Sequence, residues 1–79
     1  MKEVKVLGPG CARCKTLAEM VKLAAEQAGV AISLEKVEDM ATIVGYGIMS
    51  TPGLVIDGKV VHSGSLPDPK KVTAWLQGD

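Results

Sequence analysis

Two cysteines three positions apart, Cys11-Ala12-Arg13-Cys14, are the part of this 79-residue chain best suited to chemistry. On a helix, residues i and i+3 are neighbours, with Cβ atoms roughly 5–6 Å apart. A disulfide needs Cα atoms at about 4.4–6.8 Å, so a Cys-x-x-Cys in a first helical turn closes and opens with little backbone movement. Placement matters as much as spacing. Cys11 falls at the expected start of a helix, where free N–H groups and the positive end of the helix dipole favour a thiolate. Arg13 and Lys15 add positive charge nearby. Settings of this kind bring a cysteine from about 8.5 to roughly 3.5–7.5. Cys11 is therefore the expected attacking sulfur, and Cys14, one turn further in, the resolving thiol that frees it from a mixed disulfide.

The same pair admits other readings. Two small cysteines can simply be core residues, although the flanking glycines place them in a strand-to-helix loop. Cys-x-x-Cys also holds soft Cu(I) or supplies half of a zinc site, which makes a soft-metal carrier or sensor the alternative function. A structural zinc site needs four ligands, and the other strong soft donor here is a lone His62. Copper-carrying ferredoxin-like domains usually have Met two residues before the first cysteine, where this chain has Pro9, and they finish on a strand. His62 reads as a surface or edge residue of a strand. Met20 and Met40 fall at helical core positions, where packing explains them. Met49 lies in a loop and offers an apolar rim for a partner. Trp75 reads as an anchor for the last helix, and Lys70-Lys71 as a solvated pair.

The rest of the chain bounds what surrounds the pair. Nine Lys+Arg balance nine Asp+Glu, with no basic run, which argues against nucleic acid and a membrane surface as partners. Tyr46 and Trp75 are the sole aromatics of the Phe, Trp and Tyr class, too few to stack bases. The N-terminal apolar run stops at Leu7, short of a signal-peptide core, and no stretch approaches the ~20 apolar residues of a membrane span. The expectation is a cytoplasmic, monomeric single domain over residues 1–79, in a compartment where close cysteines read as redox or metal chemistry.

The elements follow from periodicity. Glu3 to Leu7 reads as a strand and Gly8-Pro9-Gly10 as a turn. A helix begins at Cys11, with Leu17, Met20, Val21, Ala24 and Ala28 facing the core, and Gly29 closes it. Val30 to Val37 alternates as a second strand. Asp39 caps a short helix carrying Met40, Ile43 and Val44, ended by Gly45-Tyr46-Gly47. Leu54-Val55-Ile56 and Lys59-Val60-Val61-His62 flank Asp57-Gly58, a type I′ hairpin signal. Asp68-Pro69 starts a last helix with Val72, Trp75 and Leu76 on its apolar face. The order β-α-β-α-β-β-α predicts an α/β fold: two parallel β-α-β crossings plus an antiparallel hairpin edge. Together these give a four-stranded mixed sheet with helices on both faces. Thr51-Pro52 precedes the buried third strand. Proline is tolerated there, and an X-Pro bond adopts either isomer at modest cost.

Three patches, taken in order, carry a resemblance. Tyr46-Gly47-Ile48-Met49-Ser50-Thr51-Pro52-Gly53-Leu54 is similar to the Tyr-Gly-Ile-x-x-x-Pro-x-Leu segment of thioredoxins. Cys11-x-x-Cys14 precedes it and Gly64-Ser65-Leu66 follows the hairpin. The shortness and the Gly-x-Gly-Cys-x-x-Cys start more closely resemble the small thioredoxin-like proteins called redox-active disulfide protein 2, across essentially the whole chain. That resemblance implies a minimal, glutaredoxin-sized thioredoxin fold and a protein thiol–disulfide oxidoreductase. Its redox group would be the Cys11–Cys14 disulfide, with no other cofactor. Cys11 would be nucleophile and Cys14 resolving thiol, with Pro52 a cis proline beside the disulfide. The Thr51 backbone would pair with an extended substrate segment, and Gly64 would leave room for that segment. With a cis turn, the Thr51 hydroxyl would tune the thiolate. The implied partners are a protein disulfide substrate and a protein donor such as a thioredoxin-reductase-type flavoenzyme. The chain departs from thioredoxins in three places. Ala12-Arg13 replaces Gly-Pro between the cysteines, and Gly10 replaces the preceding tryptophan. Lys5 stands where thioredoxins carry a buried Asp as proton acceptor near the resolving thiol, so no internal base is expected. Nothing marks a glutathione contact.

Overall fold

A computed structural model of the chain describes residues 2–8, 12–48 and 50–78. The elements run β1 (Lys2–Leu7), α1 (Ala12–Ala28), β2 (Ile32–Val37), α2 (Met40–Gly45), β3 (Gly53–Ile56), β4 (Lys59–Ser63) and α3 (Pro69–Leu76). The strands form one sheet in the order β2-β1-β3-β4. β1 and β2 are parallel, with Lys2 opposite Ile32 and Leu7 opposite Val37. β3 is antiparallel to both β1 and β4.

This confirms the mixed four-stranded sheet and corrects one pairing. The sequence reading expected two parallel crossings, and the sheet contains one. The two connecting helices differ in length. A parallel crossover must carry the chain back along a strand of about 20 Å. α1, with 17 residues, does so. α2 has six, roughly 9 Å of rise at 1.5 Å per residue. α2 does not carry the chain back along the sheet; the chain re-enters at the end where β2 left it, with Gly53 opposite Leu7, and runs the other way.

Alternation along the strands divides the core between two faces. Val4, Val6, Leu54 and Ile56 pack with Cys14, Leu17, Ala18, Val21, Ala24 and Ala25 of α1 and with Val72 and Leu76 of α3. Leu7, Val37 and Val55 pack with Ile43 and Ile48 on the α2 side. Helices thus cover both faces. The buried stripe of α1 is built partly from alanines, which let α1 lie close to the sheet; Ala18 and Ala25 are buried, whereas Met20 and Ala28 are only half-buried. Met40, read from the sequence as a core residue, is 53 % exposed. α2 is too short to turn more than one large side chain inward, and Ile43 is the one it buries.

Local signals set the boundaries. Asp57 and Gly58 both have positive φ, 51° and 80°, as a type I′ turn requires. One extra residue in β4 makes a bulge opposite Leu54 and Val55, so that Leu54 pairs with His62 and Val55 with Val60. Asp39 accepts from the Thr42 amide at 3.1 Å, and Asp68 from the Lys70 amide at 2.9 Å with Pro69 at the start of α3. Each satisfies a helix-end donor that has no partner within its own helix.

Candidate active site

The site lies where β1 ends, α1 begins and β3 begins. Cys14, in the first turn of α1, is 5 % exposed and belongs to the core cluster beneath that helix. It is disulfide-bonded. Cys11 lies outside the described residues, as do Pro9, Gly10 and Met49; the expected turn at Pro9-Gly10 and the apolar rim expected from Met49 fall there too.

Gly8 sits between Cys14 and the loop before β3. It is buried, and its amide donates to the Val37 carbonyl at 2.8 Å, which fixes the end of β1 against the end of β2. A Cβ at position 8 would overlap the Cys14 Sγ, with the Cys14 Cβ at 3.3 Å and the Thr51 Cβ at 3.7 Å. Cys14 and Thr51 therefore flank the same bare stretch of backbone.

The Thr51–Pro52 peptide bond is cis. Pro52 is fully buried and Thr51 half-buried. Ser50 is exposed. The loop after β4 returns to this turn: the Gly64 amide donates to the Pro52 carbonyl at 3.0 Å. Gly64 has φ +90°, and a Cβ there would lie 2.8 Å from the Ser50 Oγ. The structure thus brings Cys14, Thr51, Pro52 and Gly64 into one contiguous region, joined through Gly8 and Ser50.

Arg13 and Lys15 are exposed on the first turn of α1. Lys5 lies on the other face of the sheet, since Val4 and Val6 pack beneath α1 while Lys5 opposite Val55 faces the α2 side. Its ammonium is held above the ordinary lysine value, first by the neighbouring Tyr46 side chain and then by the Glu35 carboxylate. It is engaged away from Cys14. His62 is half-buried on the edge strand β4, its ring centroid 5.9 Å from that of Trp75, with Nε2 sharing a 3.1 Å hydrogen bond with the Ser65 hydroxyl. Among the described residues no group of three or more His, Cys, Asp or Glu could hold a metal ion. None of the described helices is long and apolar enough to cross a membrane.

Gly8 belongs to the Gly-x-Gly-Cys-x-x-Cys start and Ser50 to the Tyr46–Leu54 segment, but the sequence assigns neither a contact of its own. Their places follow from the approach of α1 and of the loop after β4, contacts that span much of the chain.

Comparison with known proteins agrees with this arrangement. A family model described as a thioredoxin domain matches residues 2–77. A protein named thioredoxin from Methanocaldococcus jannaschii is 31 % identical over 77 residues, covering 98 % of this chain and 88 % of that relative.

Proposed function

This chain belongs to the thioredoxin domain family, and we propose on that premise that it is a protein thiol–disulfide oxidoreductase working through Cys11 and Cys14. The observation that carries the reading is the packing of the Cys14 sulfur against the bare backbone of Gly8, beside Thr51 of the cis turn. A sulfur sheltered there is suited to resolve a mixed disulfide and unsuited to start one. Within the family, the Gly-x-Gly-Cys-x-x-Cys start and the short chain favour the redox-active disulfide protein 2 group.

In the reductive direction, the Cys11 thiolate attacks one sulfur of the substrate disulfide. The Cys11–substrate bond forms, the substrate S–S bond breaks, and the leaving thiolate takes a proton from solvent. Cys14, as thiolate, then attacks the Cys11 sulfur. The intramolecular disulfide forms and the second substrate thiol leaves. Two electrons pass to the substrate, and a protein donor, of the thioredoxin-reductase flavoenzyme class, returns them. Arg13 and Lys15 favour the Cys11 thiolate by their charge. The Thr51 backbone pairs with an extended substrate strand, and Gly64 leaves room for it. With Lys5 on the opposite face of the sheet from Cys14, the proton of Cys14 goes to water or to the departing thiolate. The cytoplasm is the compartment that fits such a couple.

The test is a redox titration and a protein-disulfide reduction assay on metal-free protein, with Cys11→Ser and Cys14→Ser beside it. The native chain should show a reversible two-electron couple. Cys14→Ser should accumulate a mixed disulfide, and Cys11→Ser should be inert. Stoichiometric Cu(I) or Zn binding with no turnover would overturn the reading in favour of a carrier.

A further inference from the structure

Five of the described glycines, Gly29, Gly47, Gly58, Gly64 and Gly78, have positive φ, so backbone conformation alone accounts for them. Gly8 does not; any residue could adopt its conformation. Gly45 is equally free of positive φ, and a Cβ there would meet nothing within 4 Å. A Cβ on Gly53 would press on Ile48 Cδ1, the end of a flexible side chain, at 2.6 Å. Gly8 alone among these would drive a Cβ into a sulfur.

We propose that Gly8 is a positioning residue: its missing side chain is the seat of the Cys14 sulfur, and that seat favours the disulfide over the dithiol. The inference rests on the thiol–disulfide reading above. The Gly8 amide is committed to Val37, so the effect is one of space and not of hydrogen bonding to the sulfur. Thr51 closes the seat on its other side, with its Cβ at 3.7 Å from where a Cβ of residue 8 would lie. Cys14 is disulfide-bonded in this position. A disulfide sulfur cannot turn away without taking its bonded partner with it, whereas a thiol is free to change rotamer. A methyl group at position 8 therefore burdens the oxidised chain more than the reduced one. The balance is that of the couple itself: the S–S bond breaks, two electrons and two protons enter, and two thiols form, with a thiol buffer such as glutathione supplying the electrons.

The test compares the native chain, Gly8→Ala and Gly45→Ala in graded glutathione buffers, and follows thermal unfolding of each in both redox states. Gly8→Ala should lower the equilibrium constant for disulfide formation by about tenfold, a potential about 30 mV less negative for a two-electron couple. It should destabilise the oxidised form more than the reduced. Gly45→Ala should leave the potential unchanged. Equal destabilisation of both forms by Gly8→Ala, with no change of potential, would overturn the proposal and leave the thiol–disulfide reading intact. A native chain with no reversible couple would overturn that reading, and this inference with it. If Gly8→Ala does not fold, the Cys14→Ala background decides. Removing the sulfur should abolish most of the cost of Gly8→Ala, and an undiminished cost there would show that residue 8 does not seat the sulfur.

Discussion

The amide of Gly64 donates to the carbonyl of Pro52 across 3.0 Å, and this bond ties the loop after β4 to the cis turn before β3. Neither residue has a sequence neighbour in common with the other. The bond holds two walls of the proposed substrate groove at a fixed separation.

Gly64→Ala should act on both stability and substrate binding. At φ +90° a side chain is strained, and its Cβ would crowd the Ser50 Oγ at 2.8 Å. The left-handed penalty is about 1–2 kcal/mol, readable in denaturant unfolding. The narrower groove should raise KM for a protein disulfide, with the reduction potential unchanged. A kcat loss with KM unaltered would place Gly64 outside the groove.

The thin core makes single truncations severe. Leu54 is fully buried between β1 and the α1–α3 layer, and Leu54→Ala should cost about 2–5 kcal/mol. At roughly 0.05–0.15 kcal/mol of stability per residue, that is a large share of what a chain of this length has. Leu23, 58 % exposed, should tolerate alanine within about 0.5 kcal/mol. Parallel thermal melts check both.

Asp68→Ala should cost about 1 kcal/mol, because it removes the acceptor of the Lys70 amide at the start of α3. Asp68→Asn and Asp68→Ser should retain most of the stability. Equal losses in all three would mean that the cap bond is not what the residue supplies.

Stability should fall on the acid side for a stated reason. The Asp57 carboxylate accepts from the Glu3 amide at 3.0 Å and faces Lys2 at 3.5 Å, which holds it below the ordinary carboxylate value, the amide contributing most. Asp39 is lowered likewise, by the Thr42 hydroxyl at 2.7 Å and then by the Thr42 amide. A group lowered in the folded state stabilises above its unfolded value, about 3.9 for aspartate, and that contribution is lost as pH falls through the folded value. Denaturant midpoints should drop below about pH 4, and less steeply in Asp57→Asn, which tolerates the positive φ. Lys5 works at the other end: its raised value gives a contribution complete below the ordinary lysine value and lost as pH rises through the folded one. Tyr46→Phe should weaken that alkaline dependence, the share due to Glu35 remaining.

Much of the fold was written locally. Asp57-Gly58 demands positive φ, Asp68-Pro69 and Asp39 mark helix starts, and strand alternation assigns Val4 and Val6 to one face and Leu7 to the other. These follow from sterics and hydrogen bonding within a few residues, so the chain by itself determined the seven elements, the two-sided sheet and the cysteine pair beside a helix start. Tertiary structure decided what depends on distance across the chain. The direction of β3 was set by where the chain re-enters the sheet, with Gly53 opposite Leu7. Met40 was left in solvent because a six-residue helix turns one large side chain inward. The approach of Thr51, Gly64 and Ser50 to the end of β1, and the contact of Cys14 with Gly8, arise only when α1 and the loop after β4 close over the same sheet end. The Gly-x-Gly-Cys-x-x-Cys pattern contains Gly8 and Cys14, but that the sulfur lies against this glycine is decided by the packing of α1 on the sheet.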